Sequence, residues 1–309
     1  MATPREIHRH MRSVTNIQQI TKAMKMVAAA RLRRAQEKAA ASRPFADKIK
    51  DMLLTAVSDK AMLEHLDYSE HPLLAERPVF KVGYIVVSSD KGLAGAYNAN
   101  VLKHAVVELM DKDNYSLITV GRKAKEFFSR RGFPITESYF GFSDKPSYDD
   151  AEAVARAAEK LYTEGKVDEV VLIYTHFKSA LSCIPVSERL LPVKPPVAEE
   201  APQKGNSGNT TGAVHTSGSS AEASTDVIFE PEAAETLKYL VPYYARTVTY
   251  AALMQSSASE LGSRMTAMSS ATDNANDLIK NLELSYNKAR QAGITREINE
   301  IVGGAEALQ

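Results

Sequence analysis

The chain has 309 residues, 44% of them hydrophobic and 25% charged, a composition that supports about two globular domains with buried cores. Lys plus Arg and Asp plus Glu both number 38, so the formal net charge is zero and gives no whole-chain case for a nucleic-acid partner. The single cysteine, Cys183, excludes an internal disulfide and a thiolate metal cage, and no stretch reaches the ~18 apolar residues of a membrane helix.

The charge is unevenly placed. Residues 1–50 carry twelve bases, among them Lys22, Lys25, Arg31, Arg33 and Arg34, against Glu6, Glu37 and Asp47, a local +9 that the remainder balances with −9. An Arg-rich, acid-poor N-terminus also fits a transit peptide, but the same periodicity continues past residue 30. Ile7, Met11, Val14, Ile17, Ile20, Met24 and Val27 recur at steps of three and four, which predicts one face of a long helix over 1–60. Pro4 suits a first helical turn. Pro44 should kink this rod near Arg43 rather than end it, because Ile49, Leu53, Leu54 and Val57 resume the pattern.

From 79 to 192 the pattern changes, as β-branched runs alternate with helical ones. Strands are expected at Val79–Ser88, Ser116–Val120, Ile135–Phe140, Val167–Phe177 and Ile184–Leu191, the last pair as a hairpin. Helices are expected at Asn98–Met110, Lys123–Arg131 and Asp149–Glu164. This is the alternation of a Rossmann-like α/β domain with a mainly parallel sheet. Residues 193–226, rich in Pro, Gly, Ser, Thr, Ala and Asn, have almost nothing large and apolar to bury and read as a flexible low-complexity loop.

The third zone, 227–309, is again helical. Ala258, Leu261, Met265, Met268, Ala275, Ile279, Leu282, Tyr286 and Ala289 repeat with a period near 3.5, the mark of a coiled-coil seam. Ile294, Ile298, Ile301, Ala305 and Leu308 continue the stripe shifted by one. Some 75 residues of helix would span roughly 110 Å. Such a seam needs a partner helix, and within one chain the N-terminal rod can supply it only if the two run antiparallel with the α/β domain at one end. The C-terminal helix, longer by roughly 20 residues, would then project alone, and an unpaired helical tip requires something around it.

The stretch Ser13–Gln36, SVTNIQQITKAMKMVAAARLRRAQ, resembles the N-terminal signature of F-type ATP synthase gamma subunits. Arg264–Met268, Ala271–Ala275 and Tyr286–Ile298 resemble the C-terminal one, and Ser88–Asn98 is similar to the loop after the first strand in that family. Two positions depart from the pattern, Gln255 and Leu261, where the family usually has Glu and His. The resemblance implies a bacterial-type rotor shaft, non-catalytic, without a cofactor, that couples ion flow to ATP synthesis or hydrolysis. Its implied partners are three alpha and three beta subunits around one shaft, with the epsilon subunit and the c-subunit ring at its foot. It would sit on the cytoplasmic face of the cell membrane, reaching the membrane only through partners. Met24, Lys25, Arg264, Arg290, Gln291, Thr295, Ile298 and Ile301 match positions the family uses near the contacts with the head, and Lys22, Arg31, Arg33 and Arg34 are expected against acidic loops of the beta subunits.

Other chemistry fits less well. Gly92 and Gly95 precede a helix as in a phosphate cradle, but neither the dinucleotide fingerprint nor the Gly-Lys-Thr/Ser loop is present, so a structural turn is expected there, with Asp90 and Lys91 solvated. His8 and His10, two residues apart, point to different helix faces and do not chelate. The methionines at helical spacing read as packing. A self-associating coiled-coil scaffold and a nucleotide-binding enzyme using Gly92–Asn98 are the competing readings.

Overall fold

A computed structural model of the chain describes residues 3–58, 71–110, 114–193 and 233–306. Of the low-complexity segment only Val193 is described, buried and donating its N–H to the Leu73 carbonyl at 3.0 Å; residues 194–226 and Leu308 lie outside the described residues. Helix α1 runs Pro4–Ser58 and α5 runs Ala233–Glu306, with 55 and 74 residues. Between them come β1 (Val82–Val87), α2 (Tyr97–Met110), β2 (Tyr115–Val120), α3 (Arg122–Arg130), β3 (Ile135–Tyr139), α4 (Tyr148–Thr163), β4 (Glu169–Ser179) and β5 (Ser182–Leu191). Helix α1 continues through Pro44.

The sheet order is β3-β2-β1-β4-β5, parallel except for the β4–β5 hairpin. Every residue of β1 is buried, as expected of a central strand covered on both faces. Its side chains alternate between two cores. Tyr84 and Val86 face Val101, Leu102 and Ala105 of α2 and Phe128 of α3. Ile85 and Val87 share the other core with Val154 and Tyr162 of α4, Leu237 and Leu253 of α5, and Ile49 and Leu53 from the end of α1. Both rods are thus rooted in the α/β domain.

The rods run antiparallel. Gln18 Nε2 donates to Asn276 Oδ1 at 2.7 Å, Thr21 and Thr272 hydroxyls meet at 2.8 Å, and Lys25 Nζ donates to Ser269 Oγ at 3.0 Å. Farther along, the His8 and Tyr286 rings lie 6.0 Å apart. On α5 all nine predicted seam residues, Ala258 to Ala289, are buried or half-buried. On α1 the predicted stripe divides: Val14 is buried and Ile7, Met11 and Met24 are half-buried, whereas Ile17, Ile20 and Val27 stay 51%, 59% and 52% exposed. The seam instead uses Thr21, Ala28, Leu32 and Ala35. Steps of three and four fit two neighbouring helix faces about 100° apart, and the face chosen is the one whose small residues let the helices approach.

Close approach also fixes α5 on the β4–β5 hairpin. A Cβ added at Gly262 would lie 3.1 Å from the Phe177 ring and 3.3 Å from Ala180 Cα. Gly262→Val should therefore destabilise the isolated chain by about 2 kcal/mol, read as a lower denaturant midpoint at unchanged slope, despite valine's better helix propensity.

Candidate functional site

The carboxyl ends of β1 and β4 form the switch point of the sheet, where doubly wound folds hold ligands. Here α5 of the same chain fills that crevice. The Thr175 N–H donates to Ser256 Oγ at 3.3 Å, Ser259 Oγ donates to the Thr175 carbonyl at 3.1 Å, and the Phe177 N–H donates to Gln255 Oε1 at 3.1 Å. Between α5 and the sheet a void of about 10 Å³ is bordered by Tyr97, Ser143, Ser257 and Glu260, room for about one water, and an open cleft of about 290 Å³ lies beside Gly95, Thr175 and Ser263.

The glycine-containing loop is built for structure. Asp90 accepts backbone N–H bonds from Arg122 (3.0 Å), Gly141 (2.8 Å) and Ser143 (3.1 Å), tying together three loops at the end of the sheet. Ser89 holds Asn98 at the start of α2. Leu93 and Gly95 have positive φ. The expectation of a turn holds, and Lys91 is exposed as expected although its Nζ reaches Asp144 at 2.5 Å, whereas Asp90 is half-exposed and consumed by amides.

Around this loop lies a charged cluster joining rod and domain. Asp144 Oδ2 also accepts from Arg31 Nη1 of α1 at 2.6 Å, and Asp144 Oδ1 lies 3.7 Å from Arg264 Nη1 of α5. Arg264 Nη2 donates to Glu260 Oε1 at 2.6 Å and to the Gly92 carbonyl at 3.2 Å. Burial works against the Asp144 carboxylate, but Lys91, Arg264 and Arg31 outweigh it and hold its pKa below the ordinary value. Glu260, only 1% exposed, is pushed up to about 7, chiefly by burial, with Arg264 offsetting part and Asp144 adding to the rise.

The predicted contact residues fall into three places. Met24 and Lys25 lie midway along the rod. Arg264 is buried in the joint, away from the rod's outer surface. Arg290, Gln291, Thr295, Ile298 and Ile301 are exposed on the last turns of α5, where Thr295 Oγ1 donates to the Gln291 carbonyl at 3.0 Å. The pairing register sets Pro4 opposite about residue 290, so residues 291–306 pass beyond α1 for roughly 24 Å. Ile294, Ile298, Ile301 and Val302 are large apolar side chains exposed on that projection. Asp144 and Glu260 escaped the sequence reading. A signal for Glu260 was available, a lone acid directly after the small-residue run Ser256–Ser259 with Arg264 four residues on.

The sequence model of the ATP synthase family matches residues 3–308. An ATP synthase gamma chain of Brevibacillus brevis is 45% identical over 307 residues, covering 98% of each chain. The chain belongs to the ATP synthase gamma-chain family. The gamma chain of Desulforamulus reducens is 44% identical over the whole of both chains. Among solved structures, one of the Tetrahymena thermophila mitochondrial ATP synthase central stalk and c-ring matches with a TM-score of 0.55 at 27% identity, covering 82% of this chain and 99% of that one. One of the Euglena gracilis mitochondrial ATP synthase, with a TM-score of 0.66 at 18% identity over 99% and 94%, shares the fold. Among the described residues no helix of this gamma chain is long and apolar enough to cross a membrane, and no cluster of three His, Cys, Asp or Glu could hold a metal ion.

Proposed function

We propose that this chain is the central shaft of an ATP synthase, a peripheral part of a membrane complex that transmits rotation and carries out no chemistry itself. The observation that carries the reading is the projecting end of α5. Four large apolar side chains on an unpaired helix in water forgo burial worth about 25 cal/mol per Å², which a surrounding bearing of other subunits would recover. In this reading Ile298 and Ile301 turn inside that bearing, while Arg290, Gln291 and Thr295 meet the head just below it.

The mechanism is a population shift. Three chemically identical catalytic subunits around an asymmetric rod meet different faces of it, so each is biased toward a different nucleotide affinity, and turning the rod cycles those affinities. The exposed stripe Ile17, Ile20 and Val27 beside Met24 and Lys25 gives the rod one such distinct face. A cleft of about 410 Å³ whose wall carries Arg34, Lys38 and Lys145, with Arg31 already paired to Asp144, gives another, its three other cations suited to acidic loops of beta subunits. Arg264 acts on these contacts indirectly, by setting how α5 leaves the domain. The epsilon subunit and the c-ring bind the α/β end, on the side of the membrane facing the cytoplasm.

Native mass measurement on the complex captured through this chain tests the reading. One copy with three alpha and three beta subunits is expected; a homo-oligomer of this chain alone would replace the shaft with a scaffold.

A further inference from the structure

We propose that Asp144 is a positioning residue for rotary coupling: the carboxylate through which the α/β domain grips both helices of the rod, so that torque entering the domain reaches the shaft without slip. This rests on the rotor reading above.

The two rods are fastened to the domain differently. Helix α5 is stitched to the hairpin by the Gln255, Ser256 and Ser259 bonds described above and by Thr266 Oγ1 donating to the Ala180 carbonyl at 3.2 Å. It is also tied to α4, where Arg246 reaches Glu152 at 3.0 Å and Glu159 at 3.4 Å. Helix α1 has polar links to α5, and it meets the domain through the ion pair of Arg31 with Asp144. Its apolar contacts include Ile49, Leu53 and Ala56 in the main core, and Leu32 and Ala35 in a small cluster with Ala258, Leu261 and Phe177. Apolar contact resists separation but is non-directional and opposes sliding weakly. A short charge-assisted hydrogen bond is directional and opposes shear.

Asp144 is itself well anchored. Its loop is held to the end of β1 by Asp90, which accepts from Gly141 and Ser143, and by Ser143 Oγ, which accepts the Asp90 N–H at 3.0 Å. A displacement of the sheet therefore moves Asp144, and Asp144 moves Arg31 on one rod and Arg264 on the other, with Lys91 bracing it from the loop after β1. Arg31 is about half exposed, so the pair adds little to folding stability. Its consequence is stiffness.

The test uses the assembled complex, with the tip of α5 held in the head and a probe on the α/β domain whose thermal angular fluctuation is recorded. Asp144→Asn is expected to widen the angular variance about twofold and to lower ion-driven ATP synthesis more than ATP hydrolysis. Arg31→Gln, which cuts only the α1 link at an exposed side chain, should widen it in the same direction, and Arg31→Lys should keep most of the stiffness. Wild-type variance in Arg31→Gln overturns the proposal, whether or not the Asp144 variant assembles. Failure of the unsubstituted chain to assemble with alpha and beta subunits would instead overturn the rotor reading.

Discussion

Replacing Arg290 and Gln291 together by alanine is expected to reduce ion-driven ATP synthesis by the assembled complex about tenfold, a loss typical of removing a contact hot spot. The unfolding midpoint of the isolated chain should stay within about 2 °C. The two expectations separate because of where these side chains stand. Both are exposed at the point where α5 leaves its pairing with α1, so neither supports the fold. Alanine is also the better helix former at both positions, and the bond from Thr295 uses the backbone carbonyl of residue 291, which the substitution keeps. Synthesis at the unsubstituted rate would show that this part of the shaft carries no contact that matters to coupling, and a large fall in midpoint would show that the residues are structural.

The elements of this chain were legible in its sequence because each is locally consistent. The α5 seam from Ala258 to Ala289 and the alternating cores around β1 follow from period alone. The α1 face was not, since a threonine and two alanines, Thr21, Ala28 and Ala35, do what the isoleucines Ile17 and Ile20 appeared suited to do. Hydrophobicity ranks those isoleucines higher, but close helix pairing rewards small side chains, and only the partner helix decides between them. The joint was hidden for a different reason. Asp144 acquires its partners from residues 31, 91 and 264, three separate elements brought together by a sheet order that spacing in the chain does not reveal. Arg264, taken from the resemblance as a head contact, is instead oriented inward by Glu260, one helical turn before it.

Glu260 leads to the second large effect, a dependence of stability on pH that glutamine should abolish. Its pKa in the folded chain is about 7 against an ordinary value of 4.5, so between those two pH values the folded form holds a proton that the unfolded form has released. Stability then falls as pH rises through this window, in total by on the order of 3 kcal/mol if the whole displacement is realised. Asp144, its neighbour, is displaced the other way: its contribution is present above the ordinary carboxylate range and is lost only as pH falls below it, outside the window. The groups facing Glu260 are Arg264 on its own helix, Tyr97 on α2, whose hydroxyl burial keeps protonated, and Asp144 on the loop after β3. Tyr97 is displaced upward and Asp144 downward from their ordinary values, both away from this window. Glu260→Gln retains an oxygen to accept from Arg264 but has no proton to release. Denaturant unfolding at pH 5 and pH 8 should therefore show the variant gaining on the parent chain by on the order of 3 kcal/mol from the lower pH to the higher. Contributions common to the two chains drop out of that difference. A stability difference between the two chains that stays constant across the pH range would mean that Glu260 is ionised throughout, with Arg264 fully compensating its burial.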